Sequence, residues 1–564
     1  MSPTPDQTYP DTFGIAPDIY NNRKRILAVL CLSLVLIVVA VSSLNVAIPT
    51  IQQALDASPT QIQWIIDSYA LVFAGFLLPA GAIGDRFGRK GALLTGLAIF
   101  GTCALAASFA KSPGQLIAAR SFMGIGAALV MPATLSIIQN SFPPHERAKA
   151  VATWAGLAGA GGAIGPLLSG LMLKFFGWSS VFFINIPLVI LLGVLAMVFV
   201  PTSRDPEGHP LDPIGSLLSV IALVALVFGI IEGPEWGWAS AGVIGSIVVA
   251  GVAGVAFVAY ENRIEYPTLD PKLFKLRGFG MGSLAITTIF FAMFGMFFLS
   301  VQYLQYVHGY SPLESGVRSL PSAFVLISVS PRSPLITARF GIRRTLRTGF
   351  VLAALGLVGM ATLDVDSSYL HFMFSLIVMA AGIALVMPPS TSSIISSLPL
   401  SKSGVGSAVN DVTREVGGAV GIAVMGSILN TLYRSHIDLS ALVSQVPPEN
   451  RARFLMAEEG IGPAAGVAKG LTESAKSMPP EIGTQLAGLA GKVTAASKDA
   501  FVSGASVAFG TAAVIISIVG VFASFRIPDE LGEQTAEVGD HPGPEDGLNS
   551  NQAIGSLDDS SPTS

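Results

Sequence analysis

Apolar runs of about twenty residues, separated by short polar segments, follow one another along almost the whole chain. Each run makes roughly 30 Å of helix at about 1.5 Å per residue, enough to cross the hydrocarbon core of a bilayer. Backbone polar groups find no water in lipid, so such runs are read as helices. Fourteen are predicted, beginning near Ile26, Ile62, Ala92, Gln115, Ala150, Ser180, Ile214, Ser240, Gly280, Ser315, Leu346, Tyr369, Gly406 and Phe501. The first follows the basic trio Arg23, Lys24 and Arg25. It is too long for a signal peptide and lacks a small-residue cleavage site, so it is read as the first span.

The distribution of charge tests that number. An even number of spans places both termini on one side, and alternate short loops should then be basic. One set of loops carries Arg23 to Arg25; Arg86, Arg89 and Lys90; Arg147 and Lys149; Arg204; Arg263, Lys272, Lys275 and Arg277; Arg339, Arg343, Arg344 and Arg347; Lys402; and Arg526. The opposite short loops offer Lys111 and Lys174. A multi-pass protein of the cell membrane with both termini in the cytoplasm is expected. With 51% apolar and 12% charged residues, a soluble multidomain protein is excluded. The net charge of −4 says little about partners, because the acids gather in a tail after Asp529 that reads as disordered; no nucleic-acid partner is expected. Cys31 and Cys103 fall within predicted spans as small apolar side chains, so neither a disulfide nor a metal site is implied.

The chain also repeats itself at an offset of about 256 residues. Val130, Met131 and Pro132 recur as Val386, Met387 and Pro388; Gly161, Gly162, Ala163, Gly165 and Gly170 recur as Gly417, Gly418, Ala419, Gly421 and Gly426. A worn third copy matches Arg86, Phe87 and Gly88 with Arg339, Phe340 and Gly341, while Ala338 replaces Asp85. The predicted organisation is a disordered N-terminus (1–25), a six-helix bundle (26–200), two inserted helices (214–260), a second six-helix bundle (280–526) containing an outer loop (433–500), and an acidic tail (527–564). Parallel halves around a cleft describe a transporter that opens alternately to each side. A purely structural duplication is the alternative.

Two motifs are more particular than packing requires. Gly81 to Gly91, GAIGDRFGRKG, sets four glycines (Gly81, Gly84, Gly88 and Gly91), Asp85, Arg86, Arg89 and Lys90 in one short turn. The cations hold it on the cytoplasmic side, and Asp85 can accept from backbone N–H groups or pair with a cation, which makes the turn a latch rather than a simple topology anchor. In GAGGAIGPLLSG, Gly161, Gly165 and Gly170 leave a small-residue stripe for a neighbouring helix, and Pro166 frees a carbonyl and permits a bend.

With Arg120 in LIAARSFMGIGAA, WIIDSYAL, FINIP and EGPEWGW, these motifs resemble those of the drug:proton antiporters of the major facilitator superfamily, in the fourteen-span EmrB/QacA-like branch, over about residues 25 to 526. The resemblance implies export of small, often cationic and lipophilic compounds, driven by inward proton flow and without a cofactor. It also marks the glycine-proline stripe as an antiport motif. A monomer working on a small molecule and protons in a lipid bilayer is expected.

Charges within spans cost about 2.5 to 3.5 kcal/mol each at mid-membrane and need a reason. Asp67 and Arg120 enter at similar depth, so Asp67 is read as the proton or cation acceptor and Arg120 as its electrostatic modulator; a fixed ion pair is the alternative. Asp411, Arg414 and Glu415 in NDVTREVGG leave a net negative spot for a cationic substrate or second proton, or else form a local salt bridge at a solvated helix start. Near Asn45, a candidate ion- or substrate-binding residue, many family members carry an acid five positions earlier where this chain has Ala40, and Met123 stands where glutamine is frequent. Weight therefore shifts to Asp67. A dedicated exporter of one metabolite, lipid or antibiotic, or a transport-inactive sensor, remains an alternative. No GxxxxGK[ST] run supports an ATP-driven pump, and no HExxH motif supports a membrane enzyme.

Overall fold

The computed structural model describes residues 15–57, 59–204, 210–444, 446 and 450–528; the acidic tail and the first fourteen residues lie outside them. The helices are α1 (Pro17–Leu55), α2 (Pro59–Phe87), α3 (Arg89–Ser108), α4 (Pro113–Ser141), α5 (Pro144–Phe175), α6 (Asn185–Phe199), α7 (Pro213–Trp236), α8 (Ala241–Glu261), α9 (Arg277–Gln302), α10 (Pro312–Val329), α11 (Ile342–Ala361), α12 (Tyr369–Ser396), α13 (Ser403–His436) and α14 (Pro480–Arg526). Their starts carry local signals. Ser112 accepts from the Gln115 N–H ahead of α4, Asp212 from the Gly215 N–H ahead of α7, and Ser311 and Glu314 close a reciprocal box on α10. Gly88 and Gly341, at φ 115° and 82°, break the chain where α3 and α11 begin.

Among the described residues, twelve helices are long and apolar enough to cross a membrane. α5 makes a thirteenth when its two arms are taken as one span, bent by 41° between Gly162 and Ile164. Pro166 lies one turn beyond and leaves the Gly162 carbonyl without its helical donor. α10 is a helix where the tenth run was expected, but it carries Glu314 and Arg318 and is not among the twelve.

Two boundaries differ from the sequence reading. Pro17 to Arg25, expected within a disordered N-terminus, form the opening turns of α1, where Arg23 pairs with Glu146 at 2.7 Å and covers the Tyr20 ring. Within the segment expected as a loop at 433–500, α13 runs on to His436, and α14 begins at Pro480 as one 47-residue helix with the helix Ile461–Ser477 against it. Ile482 to Lys498, expected as a helical pattern, carries enough alanine and leucine to join the same helix.

The packing repeats with a pseudo-two-fold relation. α1 packs on α4, α5 and α6 as α9 packs on α12, α13 and α14, and the pairs α2/α4 and α3/α4 return as α10/α12 and α11/α12. Across the seam, α2 against α13 mirrors α10 against α5. Glycines make the close approaches in both halves. A Cβ on Gly126 would fall 2.8 Å from the Gly96 carbonyl oxygen, and one on Gly382 would fall 2.5 Å from that of Gly349. Likewise Gly165 lies against Val39 and Ser42 of α1, and Gly421 against the Phe291 carbonyl of α9. Gly170 does not share that partner and faces Leu313 of α10, across the seam.

This geometry separates two neighbouring glycines. Gly165→Ala would place its Cβ 2.9 Å from the Val39 carbonyl oxygen, whereas one on Gly162 meets nothing within 4 Å. The first substitution is expected to destabilise by about 1–3 kcal/mol through overpacking. Gly162→Ala should be neutral or slightly stabilising, and thermal unfolding of the purified variants in detergent distinguishes the two.

Candidate functional site

The seam carries charged groups at two depths. One set lies where the α2/α3 turn, Phe87 to Arg89, meets the start of α13, here called the loop end. The first turn of a helix leaves backbone N–H groups without partners, and Asp85 supplies acceptors to them. Its carboxylate accepts from the Gly404 N–H at 2.9 and 3.0 Å and from the Val405 N–H at 3.1 Å. Arg89 holds Asp85 Oδ1 through two nitrogens at 2.7 and 2.9 Å and donates to the carbonyls of Leu400 and Ser401. Ser136 and Asn140 of α4 both reach the Ser403 hydroxyl.

Close approach makes this lock possible. A Cβ on Gly81 would lie 2.7 Å from the Gly404 carbonyl oxygen, and one on Gly404 would lie 2.6 Å from Asp85 Oδ1. The other cations of the motif flank the turn: Lys90 in α3 donates to the Met197 carbonyl, and Arg86 at the end of α2 lies over the Phe87 ring. In this state the two halves are bound together at the loop end.

Deeper in the seam, Asp411 and Arg414 of α13 are buried and paired at 3.2 Å. The Arg414 guanidinium sits 5.2 Å from the Trp154 ring centre on α5 and 4.7 Å from that of Phe290 on α9, within cation–π range of both. Trp154 is itself fixed by donating its indole N–H to Thr134. Asn410 accepts from Thr391 and donates to Asp411 Oδ1 at 3.4 Å, leaving Asp411 Oδ2 buried with no hydrogen-bond partner. Glu415 lies one turn on from Asp411 in α13.

Arg120 is buried too, but the structure does not join it to Asp67. It donates to the Ile65 carbonyl at 3.2 Å and lies 4.3 Å from the Tyr69 ring centre. Asp67 is half-buried on α2 two residues before Tyr69. Asn45 lies in α1, and its side chain is outside the described residues. The glycine-proline stripe sits at the α1/α5 contact, with Ser43 donating to the Gly165 carbonyl.

Sequence reasoning missed three residues here. Trp154 and Phe290 were not singled out, since an aromatic residue in an apolar helix is ordinary core. Glu232 appeared only within a motif. It is 3% exposed on α7 and accepts from Gln63, one turn before Asp67. A carboxylate inside a predicted span was the available signal.

A buried ion pair held by rings from both sides of a two-fold seam, with a lock at one end of that seam, serves movement of one helix set against the other. The protein is therefore a polytopic membrane transporter rather than an enzyme. Residues 30–422 match the family profile described as Major Facilitator Superfamily, and the chain belongs to that family, in its multidrug-efflux type. It is 35% identical to the multidrug efflux pump LfrA of Mycolicibacterium smegmatis, over 79% of this chain and 87% of that protein. To the tetracenomycin C resistance and export protein of Streptomyces glaucescens it is 32% identical, over 87% and 90%. A solved bacterial homologue of the human lysosomal transporter Spinster superposes with a TM-score of 0.56 at 17% identity, covering 90% of this chain and 98% of that one, and shares the fold.

Proposed function

We infer that the protein exports small lipophilic or cationic compounds from the cell in exchange for protons, by alternating access. The arrangement this reading adopts is fourteen spans: α1–α6 and α9–α14 as equivalent bundles, α7 and α8 inserted between them, and both termini and the loop end in the cytoplasm. The state described above is then the one closed toward the cytoplasm. The observation that carries the reading is the Asp411–Arg414 pair between Trp154 and Phe290, because one carboxylate there can trade its cation partner for a proton or a cationic ligand while touching both halves. Asp67, Tyr69, Arg120 and Glu415 extend the charged surface from α13 to α2 and α4, and Asp67 is proposed as a second proton acceptor.

The multidrug efflux pump among the relatives supports export of several compounds, and the tetracenomycin C resistance and export protein favours a second reading, a dedicated exporter of one metabolite. In proteoliposomes with an imposed pH gradient, a fluorescent lipophilic cation should move against the proton gradient and stop when a protonophore is added. Transport indifferent to the gradient would reject proton coupling. A growth-inhibition panel in a host lacking its own pumps separates broad from single-substrate export.

A further inference from the structure

A second pair of acids lies away from this seam, at the loop end of α7 and α8. Asp212 caps α7 through Oδ1, which accepts from the Gly215 N–H at 2.9 Å, while its Oδ2 has no hydrogen-bond partner. Glu261, the last residue of α8, has both carboxylate oxygens buried without a donor in hydrogen-bond geometry; the N–H groups of Thr268 and Leu269 are the backbone donors nearest to it. Both residues are more than nine-tenths buried, at 7% and 2% exposure. Their free oxygens converge over Gly215: a Cβ built there would lie 2.0 Å from Asp212 Oδ2 and 2.3 Å from Glu261 Oε1. No side chain fits between them.

The groups facing this point are few. α7 contributes Asp212, α8 contributes Glu261 and the neighbouring Tyr260, and the connector contributes Thr268, which is also 7% exposed with an unpartnered hydroxyl. Among the described residues, no lysine, arginine or histidine forms an ion pair with either carboxylate. Two buried carboxylates that converge on one point without a cation partner resist being ionised together, because each charge raises the cost of the other. A single proton removes one charge and supplies the missing donor.

We propose that Asp212 and Glu261 hold one proton between them, making the loop end of the α7/α8 pair a proton-binding site separate from the acids of the central seam. The protonated acid donates its O–H to the other carboxylate, tying the α7 cap to the end of α8. When the proton leaves, two adjacent negative charges remain, and the α7/α8 contact loosens. The sign follows: the tie is present at low and neutral pH and lost as pH rises.

Infrared spectra and thermal unfolding of the full-length protein in detergent, titrated from acid to alkaline pH, test this. The wild type should show a carboxylic-acid C=O band at neutral pH that is absent in Glu261→Gln. Its melting temperature should fall more steeply on alkalinisation than that of Glu261→Gln, whose amide supplies a donor at every pH. Asp212→Asn keeps the cap and should likewise remove the band, which covers the case in which Glu261→Gln does not fold. A band unchanged in both variants would overturn the proposal. So would calcium or manganese raising the wild-type melting temperature at alkaline pH but not that of Glu261→Gln, since the pair would then be a metal-cation site.

Discussion

Asp411→Asn is expected to cut export driven by a pH gradient by roughly tenfold or more, while exchange of labelled for unlabelled substrate without a gradient continues. The substitution keeps the side chain's size and removes its charge. In the wild type Arg414 is held by one carboxylate and two rings, and those rings belong to α5 and α9, on opposite sides of the seam. A proton arriving at the unpartnered Asp411 Oδ2 neutralises the carboxylate, and Arg414 is then left to Trp154 and Phe290. Protonation therefore changes how strongly the two sides are held together, which is what a coupled carrier requires. Asparagine fixes the neutral condition permanently, so substrate can cycle but the gradient cannot drive it. Proteoliposome uptake with and without the gradient separates these functions, with Glu415→Gln as a companion. A variant that still concentrates substrate at the wild-type rate would remove Asp411 from the coupling path.

What sequence could reveal followed the range of the interactions. Most of the apolar runs, though not their starts, were legible as helices because insertion into lipid demands them, and the duplication because Gly161/Gly165 and Gly417/Gly421 meet the same packing demand against α1 and α9. The turn at Gly88 announced itself as a latch, since its spacing of glycines, one carboxylate and three cations is more particular than holding a loop in the cytoplasm requires. Its partner did not: Gly404 lies more than three hundred residues away and is one glycine among 60. Similar depth suggested a link between Arg120 and Asp67, yet depth leaves the rotation of each helix open, and Arg120 instead faces Tyr69. Rotation also hid Trp154 and Phe290, whose roles depend on which face of α5 and α9 turns toward α13. The same applies to Asp212 and Glu261, which met only once α7 and α8 were paired.

Asp85→Asn should open the loop end. The Asp85 carboxylate accepts from two backbone N–H groups and from Arg89, and charge-assisted hydrogen bonds contribute about 1.5–3 kcal/mol each. Loss of one such contribution shifts a two-state equilibrium by roughly tenfold to a hundredfold. Asparagine retains an acceptor but loses the charge that favours the positive end of α13 and binds Arg89. Gly404→Ala attacks the same lock from the other side without altering any charge, since its Cβ would fall 2.6 Å from Asp85 Oδ1. Agreement between the two variants would therefore trace the effect to this contact rather than to net charge. Spin labels at Phe87 and Leu400, exposed positions on either side of the lock, report the separation in a background with Cys31 and Cys103 replaced. Both variants should move the distance distribution to longer values, and Arg89→Gln should move it in the same direction because Arg89 also binds the Leu400 and Ser401 carbonyls. Distributions matching that of the unsubstituted protein would show that the lock does not set the balance between the closed and open loop end. The closure would then have to rest on Ser136, Asn140 and Ser403, whose uncharged hydrogen bonds are each worth about 0.5–1.5 kcal/mol.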